Sequence, residues 1–218
     1  DKKNFIKKFS SIRIFSSLKK YKRLKEIINE KLNICFILCS YSKIGECIPD
    51  NYVENFKAEK ERINLLNFVK KKKVGEISLK PRNGSFLILN KDRFYKSFNI
   101  LKNKSRMYEV FGNYNVVIFE RLSLGIAECI YLNQPAIFYY PKNLYRQKNK
   151  RYIEMIYLLK KANVFFDDKK KMIRILQSQK NINSWWFDKK NIKNRNFFLM
   201  KFADPFSYKD LSKFKKLV

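Results

Sequence analysis

The sequence predicts an α/β fold: a Rossmann-like, mostly parallel sheet flanked by helices. Three observations predict it. Residues 33–39, 116–119 and 136–140 are short uncharged runs rich in β-branched and aromatic side chains, as strands covered on both faces should be. Between such runs lie segments with apolar residues every three or four positions, the spacing of a helix that hides one face. The two kinds alternate along most of the chain, the pattern of βαβ units feeding a parallel sheet.

The elements follow in order. Ile14, Phe15, Leu18, Tyr21, Leu24, Ile28 and Leu32 recur at helical steps, so 12–32 is expected to be an amphipathic helix with a strongly basic polar face. After the strand at 33–39, Ser40, Tyr41 and Ser42 begin a loop past Gly45 and Pro49. Tyr52, Phe56, Ile63, Leu66 and Val69 give 51–72 helical spacing, and the strand at 76–80 stops at the turn sequence Pro81-Arg82-Asn83-Gly84. Residues 93–101 and 105–111 read as short helices leading into a strand at 115–119. Ser123 can cap the next helix, and Gly125 lets its first turn approach a ligand closely. Asn133-Gln134-Pro135 separates that helix from the strand at 136–140, and Pro141 and Asn143 mark a loop. A helix at 149–162, a short strand at 164–166 and a helix at 169–179 come next. Trp185 and Trp186 start a last helical section running toward Leu217. The expected organisation is a basic helical extension at 1–32, a Rossmann-like domain at 33–183 and a helical extension at 184–218.

A net charge of +30 over 218 residues invites a nucleic-acid reading. The excess is mostly Lys, dispersed along a chain rich in Asn, Ile, Phe and Tyr and devoid of His. That is the mark of drift toward A/T-rich codons, and nucleic acid is the least favoured partner. The charge still favours anionic partners in general, nucleotide phosphates and acidic lipid headgroups included. Without His, no Ser-His-Asp or Cys-His catalytic set can be built. Cys35, Cys39, Cys47 and Cys129 lack the paired spacing of a zinc site, so no metal is expected; Cys35 and Cys39 share a strand face and read as core. Scattered cysteines fit a reducing cytoplasm. The longest uncharged apolar runs, such as 34–39, are far too short to span a bilayer.

Residues 113–140 carry the most information. Between Leu122 and Tyr140 the only formal charge is Glu128, and a carboxylate in such surroundings is costly unless something hydrogen-bonds it. A helix start that can hold an anion, with an acid one turn further in, suits a nucleotide-sugar or similar phosphorylated ligand. The plainer alternative is an ordinary βαβ unit whose Glu128 pairs with a structural cation such as Arg121. Right-handed crossovers place the loops at Ser40, Pro81, 121–125 and Pro141 along the carboxyl edge of the sheet, where open α/β folds bind ligands.

This order of motifs resembles the C-terminal half of a family of transferases from bacterial surface-carbohydrate (O-antigen type) loci, which look like GT-B glycosyltransferases. Glu128, the apolar stretch 129–132, Asn133, Pro135 and the aromatic-ended strand at 137–140 carry the resemblance. The Leu-Leu-Lys-Lys-Ala sequence at 158–162, the strand closed by Asp167, the Trp185-Trp186 pair and Phe197 or Phe198 follow in the family's order. Tyr145 falls near an aromatic position of the family's loop. The resemblance spans roughly 34–202 and is strongest over 115–186.

It implies the donor-binding half of a metal-independent glycosyltransferase that uses a nucleotide-sugar in cell-surface polysaccharide assembly, with no cofactor beyond that substrate. By position, Ser123, Leu124 and Gly125 would meet the diphosphate through backbone N–H groups. Lys80 or Arg82 would neutralise the leaving nucleoside diphosphate, Glu128 would accept hydroxyls of ribose or sugar, and Ser40 would line the opposite wall. The implied partners are a nucleotide-sugar donor and a carbohydrate or lipid-linked acceptor, in the cytoplasm, with peripheral contact to anionic membrane at its inner face.

The chain also departs from the family. Leu124-Gly125 stands where the family has Thr-Thr, and Arg82 where some capsule enzymes have His. The family's His-Gly-rich N-terminal segment has no counterpart in these residues, so no catalytic base is assigned. A GT-B-like binding module without turnover is the alternative function, and a basic nucleic-acid-binding protein the third. Each residue also has a plainer role: Ser123 as a helix cap, Lys80 and Arg82 as solvated turn residues, the tryptophans as packing.

Overall fold

A computed structural model of the chain describes residues 32–38, 49–81, 93–101, 112–141 and 150–202. Six parallel strands form one sheet: β1 (Asn33–Ile37), β2 (Glu76–Lys80), β3 (Asn99–Ile100), β4 (Val116–Phe119), β5 (Ala136–Tyr139) and β6 (Phe165–Phe166). The helices are α1 (Pro49–Lys71), α2 (Leu124–Tyr131), α3 (Lys150–Lys161), α4 (Lys169–Leu176), α5 (Gln179–Trp186) and α6 (Lys189–Phe202). The α/β, Rossmann-like class read from the sequence is what the chain adopts. The strand order is β3-β2-β1-β4-β5-β6, so chain direction across the sheet reverses between β1 and β4. In open α/β sheets that reversal leaves a crevice beyond the carboxyl ends of the two strands.

The apolar strand runs do what their composition requires. Every residue of β4 and β5 is buried, because helices cover the sheet on both sides. Register aligns Lys80, Ile37, Phe119, Phe138 and Phe165 in one row across β2, β1, β4, β5 and β6, near the carboxyl edge. Phe138 and Phe165 meet edge to face at 5.2 Å. Burial of each such ring contributes about 1.5–3 kcal/mol.

Two local expectations are corrected. The short helix expected over 93–101 is one 3-10 turn, Tyr95–Ser97, followed by the edge strand β3. Tyr95 is drawn into the core and the two strand residues pair with β2, so tertiary contacts override a weak local pattern. The helix expected over 169–179 stops at Leu176, and the Ser178 hydroxyl, which accepts from Asn181 N at 3.1 Å, starts the separate helix α5. Trp185 and Trp186 therefore end α5; the helix that follows, α6, packs on α2 and α3. Residues 1–31, the helix expected over 105–111, Tyr145 and residues 203–218 lie outside the described residues.

The amino edge of the sheet is closed by a repeated device. Helices α1, α2 and α3 each lead to a residue with positive φ: Lys73 (49°), Asn133 (58°) and Asn163 (57°). After α2, Gln134 N donates to Cys129 O at 2.8 Å; after α3, Val164 N donates to Leu159 O at 2.9 Å. Such left-handed caps satisfy carbonyls that the helix leaves open and turn the chain into the next strand. The two tryptophans lock the same turns. Trp185 Nε1 donates to Asn163 O at 2.7 Å, and Trp186 Nε1 to Asn133 O at 3.0 Å. Gly75 is the steric counterpart before β2: a Cβ there would stand 2.2 Å from Leu32 O.

Candidate functional site

The carboxyl edge is built differently. β4 ends at Phe119, and Glu120, Arg121, Leu122 and Ser123 carry the chain to α2 beside the β1–β4 crevice. Ser123 occupies the N-cap position in an extended conformation (φ −142°, ψ 163°), but its side chain makes no capping hydrogen bond. Ser123 is exposed, and Leu124, the first helical residue, is 62% exposed. Ile126 N donates to Ser123 O at 3.2 Å, which tightens the first turn. Gly125 is buried.

Glu128 lies one turn into α2 and is half-buried. Burial raises the pKa of its carboxyl above the ordinary value. It makes no hydrogen bond or ion pair with its side chain among the described residues, and the expected alternative of a pair with Arg121 does not form. A half-buried carboxylate whose desolvation is uncompensated is a group poised to accept hydrogen bonds from something else.

Lys80 is the last residue of β2 and is buried, 5% exposed, not the solvated turn residue of the plainer reading. The Cys35 thiol is pushed up to about 12 by burial, with Lys80 opposing the shift, and the Cys129 thiol of α2 feels Cys35 in turn. Lys80 therefore stands on the sheet face that α2 covers. Two strand spacings, about 10 Å, separate it from Phe119 along the carboxyl row. Ser40 and Arg82 lie outside the described residues. The structure thus brings Ser123, Leu124, Gly125 and Glu128 together on one helix start, with Lys80 along the same edge.

Sequence reasoning missed a second cluster on the opposite sheet face. Glu120, one residue beyond Phe119, points the other way and meets Arg62 of α1. Arg62 Nε donates to Glu120 Oε2 at 2.8 Å and Nη2 to Oε1 at 2.5 Å, a two-pronged pair; Nη1 reaches Glu59 at 2.5 Å. Glu59 also accepts from the Tyr95 hydroxyl, and burial is the main cause that raises the Tyr95 pKa. Arg62 is 5% exposed, so this network anchors α1 and the Tyr95 turn to the end of β4. A signal for it was present: Arg62 sits within the buried stripe that continues through Leu65, Leu66 and Val69. Beyond the site, Trp185 and Trp186 serve the amino edge, where they are 7% and 0% exposed, and are no platform for a sugar ring. Among the described residues no group of three His, Cys, Asp or Glu side chains could hold a metal ion, and no helix is long and apolar enough to cross a membrane.

Comparison with known proteins yields one family. The family model described as LIC12162 family transferase matches residues 52–210, which takes in α1, every strand after β1 and the helix start at Ser123. No curated protein matches the chain.

Proposed function

This chain belongs to the LIC12162 family of transferases, and we propose that it is a glycosyltransferase, or the donor-binding half of one, that holds a nucleotide-sugar at the carboxyl edge of its sheet. The observation that carries the reading is the exposed start of α2 at the strand-order reversal, with Glu128, which has no side-chain partner among the described residues, one turn behind it. Backbone N–H groups at a helix start attract anions, an effect of about 0.3–1 kcal/mol when exposed and more when partly buried. In this reading the amides of Leu124 and Gly125 face the diphosphate, and Glu128 accepts hydroxyls of the ribose or sugar. Lys80, with Arg82 beyond the strand end, neutralises the nucleoside diphosphate as it leaves, where fixed cations help most. Ser40, after β1, lines the far wall. The acceptor is a carbohydrate or lipid-linked chain of surface polysaccharide, reached from the cytoplasmic side.

Calorimetry with UDP-, GDP-, CDP- and dTDP-sugars tests this. One of them should bind in the micromolar range, and Glu128→Ala should weaken it by about 1–3 kcal/mol, the cost of removing a hydrogen-bonding partner from a desolvated site. A Glu128→Ala protein that binds donor normally but melts early would make Glu128 structural. Binding without transfer to any lipid-linked or oligosaccharide acceptor would make the chain a binding module of GT-B type.

A further inference from the structure

Five large apolar side chains stand exposed among the described residues, and four of them lie on two helices packed side by side. Ile153 (46% exposed) and Tyr157 (53%), one turn apart, are on α3; Phe197 (48%) and Met200 (63%), three apart, are on α6. The helices run antiparallel. Lys201 pairs with Glu154 at one end of the seam, and Asn194 Nδ2 donates to Lys161 O at 2.8 Å at the other. Inward, α6 buries Arg195, Phe198 and Leu199, so Phe197 and Met200 are not spilled core. They border a groove of about 550 Å³ on α6 together with Lys189, Ile192 and Lys193. Each helix also carries four exposed Lys or Arg, while their one acid, Glu154, is already neutralised by Lys201.

We propose that this α3–α6 surface docks on an anionic lipid bilayer. The four apolar side chains enter the boundary between headgroups and acyl chains, and the lysines around them meet lipid phosphates. Apolar anchors ringed by Lys and Arg on a helix surface are the chemistry that membrane interfaces reward. A second copy of the chain is a poor occupant, because two such faces would bring like charges together while Glu154 and Asp167 are already paired with Lys201 and Lys160 and Asp188 caps α6. A nucleic acid would match the cations and leave Ile153 and Met200 without a role. The inference is independent of the donor site.

Cosedimentation of the full chain with vesicles tests it, using phosphatidylglycerol mixed with phosphatidylcholine against phosphatidylcholine alone. The protein should pellet with the mixed vesicles only, and less at high salt. Phe197→Ser with Met200→Ser should weaken the partition roughly ten- to a hundredfold, as loss of buried apolar side chains requires, with an unchanged melting temperature. Lys189→Glu with Lys193→Glu should weaken it as well. In Phe197→Trp, emission should shift to the blue on adding mixed vesicles. No pelleting with mixed vesicles, pelleting that both double variants leave intact, or self-association through this face would overturn the proposal.

Discussion

The two edges of the sheet are made of similar residues and put to opposite uses. At the amino edge most polar groups are spent on one another, although Asn115 Nδ2 is buried without a hydrogen-bond partner among the described residues. Asn33 N donates to Asn115 Oδ1 at 2.6 Å, Gly112 N to Gln134 Oε1 at 3.1 Å, Gln134 Nε2 to Tyr114 O at 2.8 Å, and the two indoles lock the Asn133 and Asn163 turns. At the carboxyl edge, Ser123 is an N-cap that does not cap, Leu124 is exposed, and Glu128 is partly desolvated with no side-chain partner among the described residues. The exception there is the Arg62 network, which fixes the end of β4 from the opposite face. Stability is concentrated at one edge and at one clamp. The helix start at Ser123 and Leu124 is the part of the carboxyl edge left exposed.

Substitutions can break that contrast, and the largest effects belong to the stabilising parts. Trp186→Ala should cost about 3–5 kcal/mol in chemical denaturation, from the cavity and the lost N–H donor, while the surviving folded protein binds donor normally. Arg62→Ala should cost about 3 kcal/mol, because it removes the cation that Glu120 and Glu59 share in a largely buried setting. It should also weaken donor binding by letting the β4–α2 connection drift.

Glu128 should behave in the opposite sense. Its folded pKa lies above an unfolded value of about 4.3. The unfolded state therefore loses its proton first, and stability falls as pH rises from that value through the folded one. Glu128→Gln removes this slope and should melt at or above the wild-type temperature at neutral pH, yet bind donor more weakly. Wild-type donor affinity should in turn fall as pH drops through the folded pKa, because the acceptor carboxylate is then protonated. The smallest effect is expected for Ser123→Ala. An N-cap change of this kind usually costs about 1 kcal/mol, but with no capping bond to lose the change in melting should be a fraction of that.

How much of this was legible in the sequence follows from the range of the forces involved. The buried strands β1, β4 and β5 announce themselves through uncharged apolar runs, and Glu128 stands out as the only formal charge between Leu122 and Tyr140. β3 does not, since two residues at a sheet edge are fixed by pairing with β2 and by Tyr95 reaching the core. The Arg62–Glu120 pair joins positions 58 apart, beyond any local pattern. The plainer reading of Lys80 as a solvated turn residue beside Pro81 fails because strand register buries it. The exposed apolar pairs on α3 and α6 carry helical spacing, but only the packing of the two helices shows which apolar residues stay outside.

Amide chemical shifts followed during titration with a nucleoside diphosphate would decide the matter. The amides of Leu124, Gly125 and Ile126 should move together and saturate, while those of Gly112 and Gln134 at the far edge stay still. Shifts centred on the Gly112–Gln134 edge, or spread evenly over exposed lysines without saturation, would contradict a phosphate cradle at the start of α2.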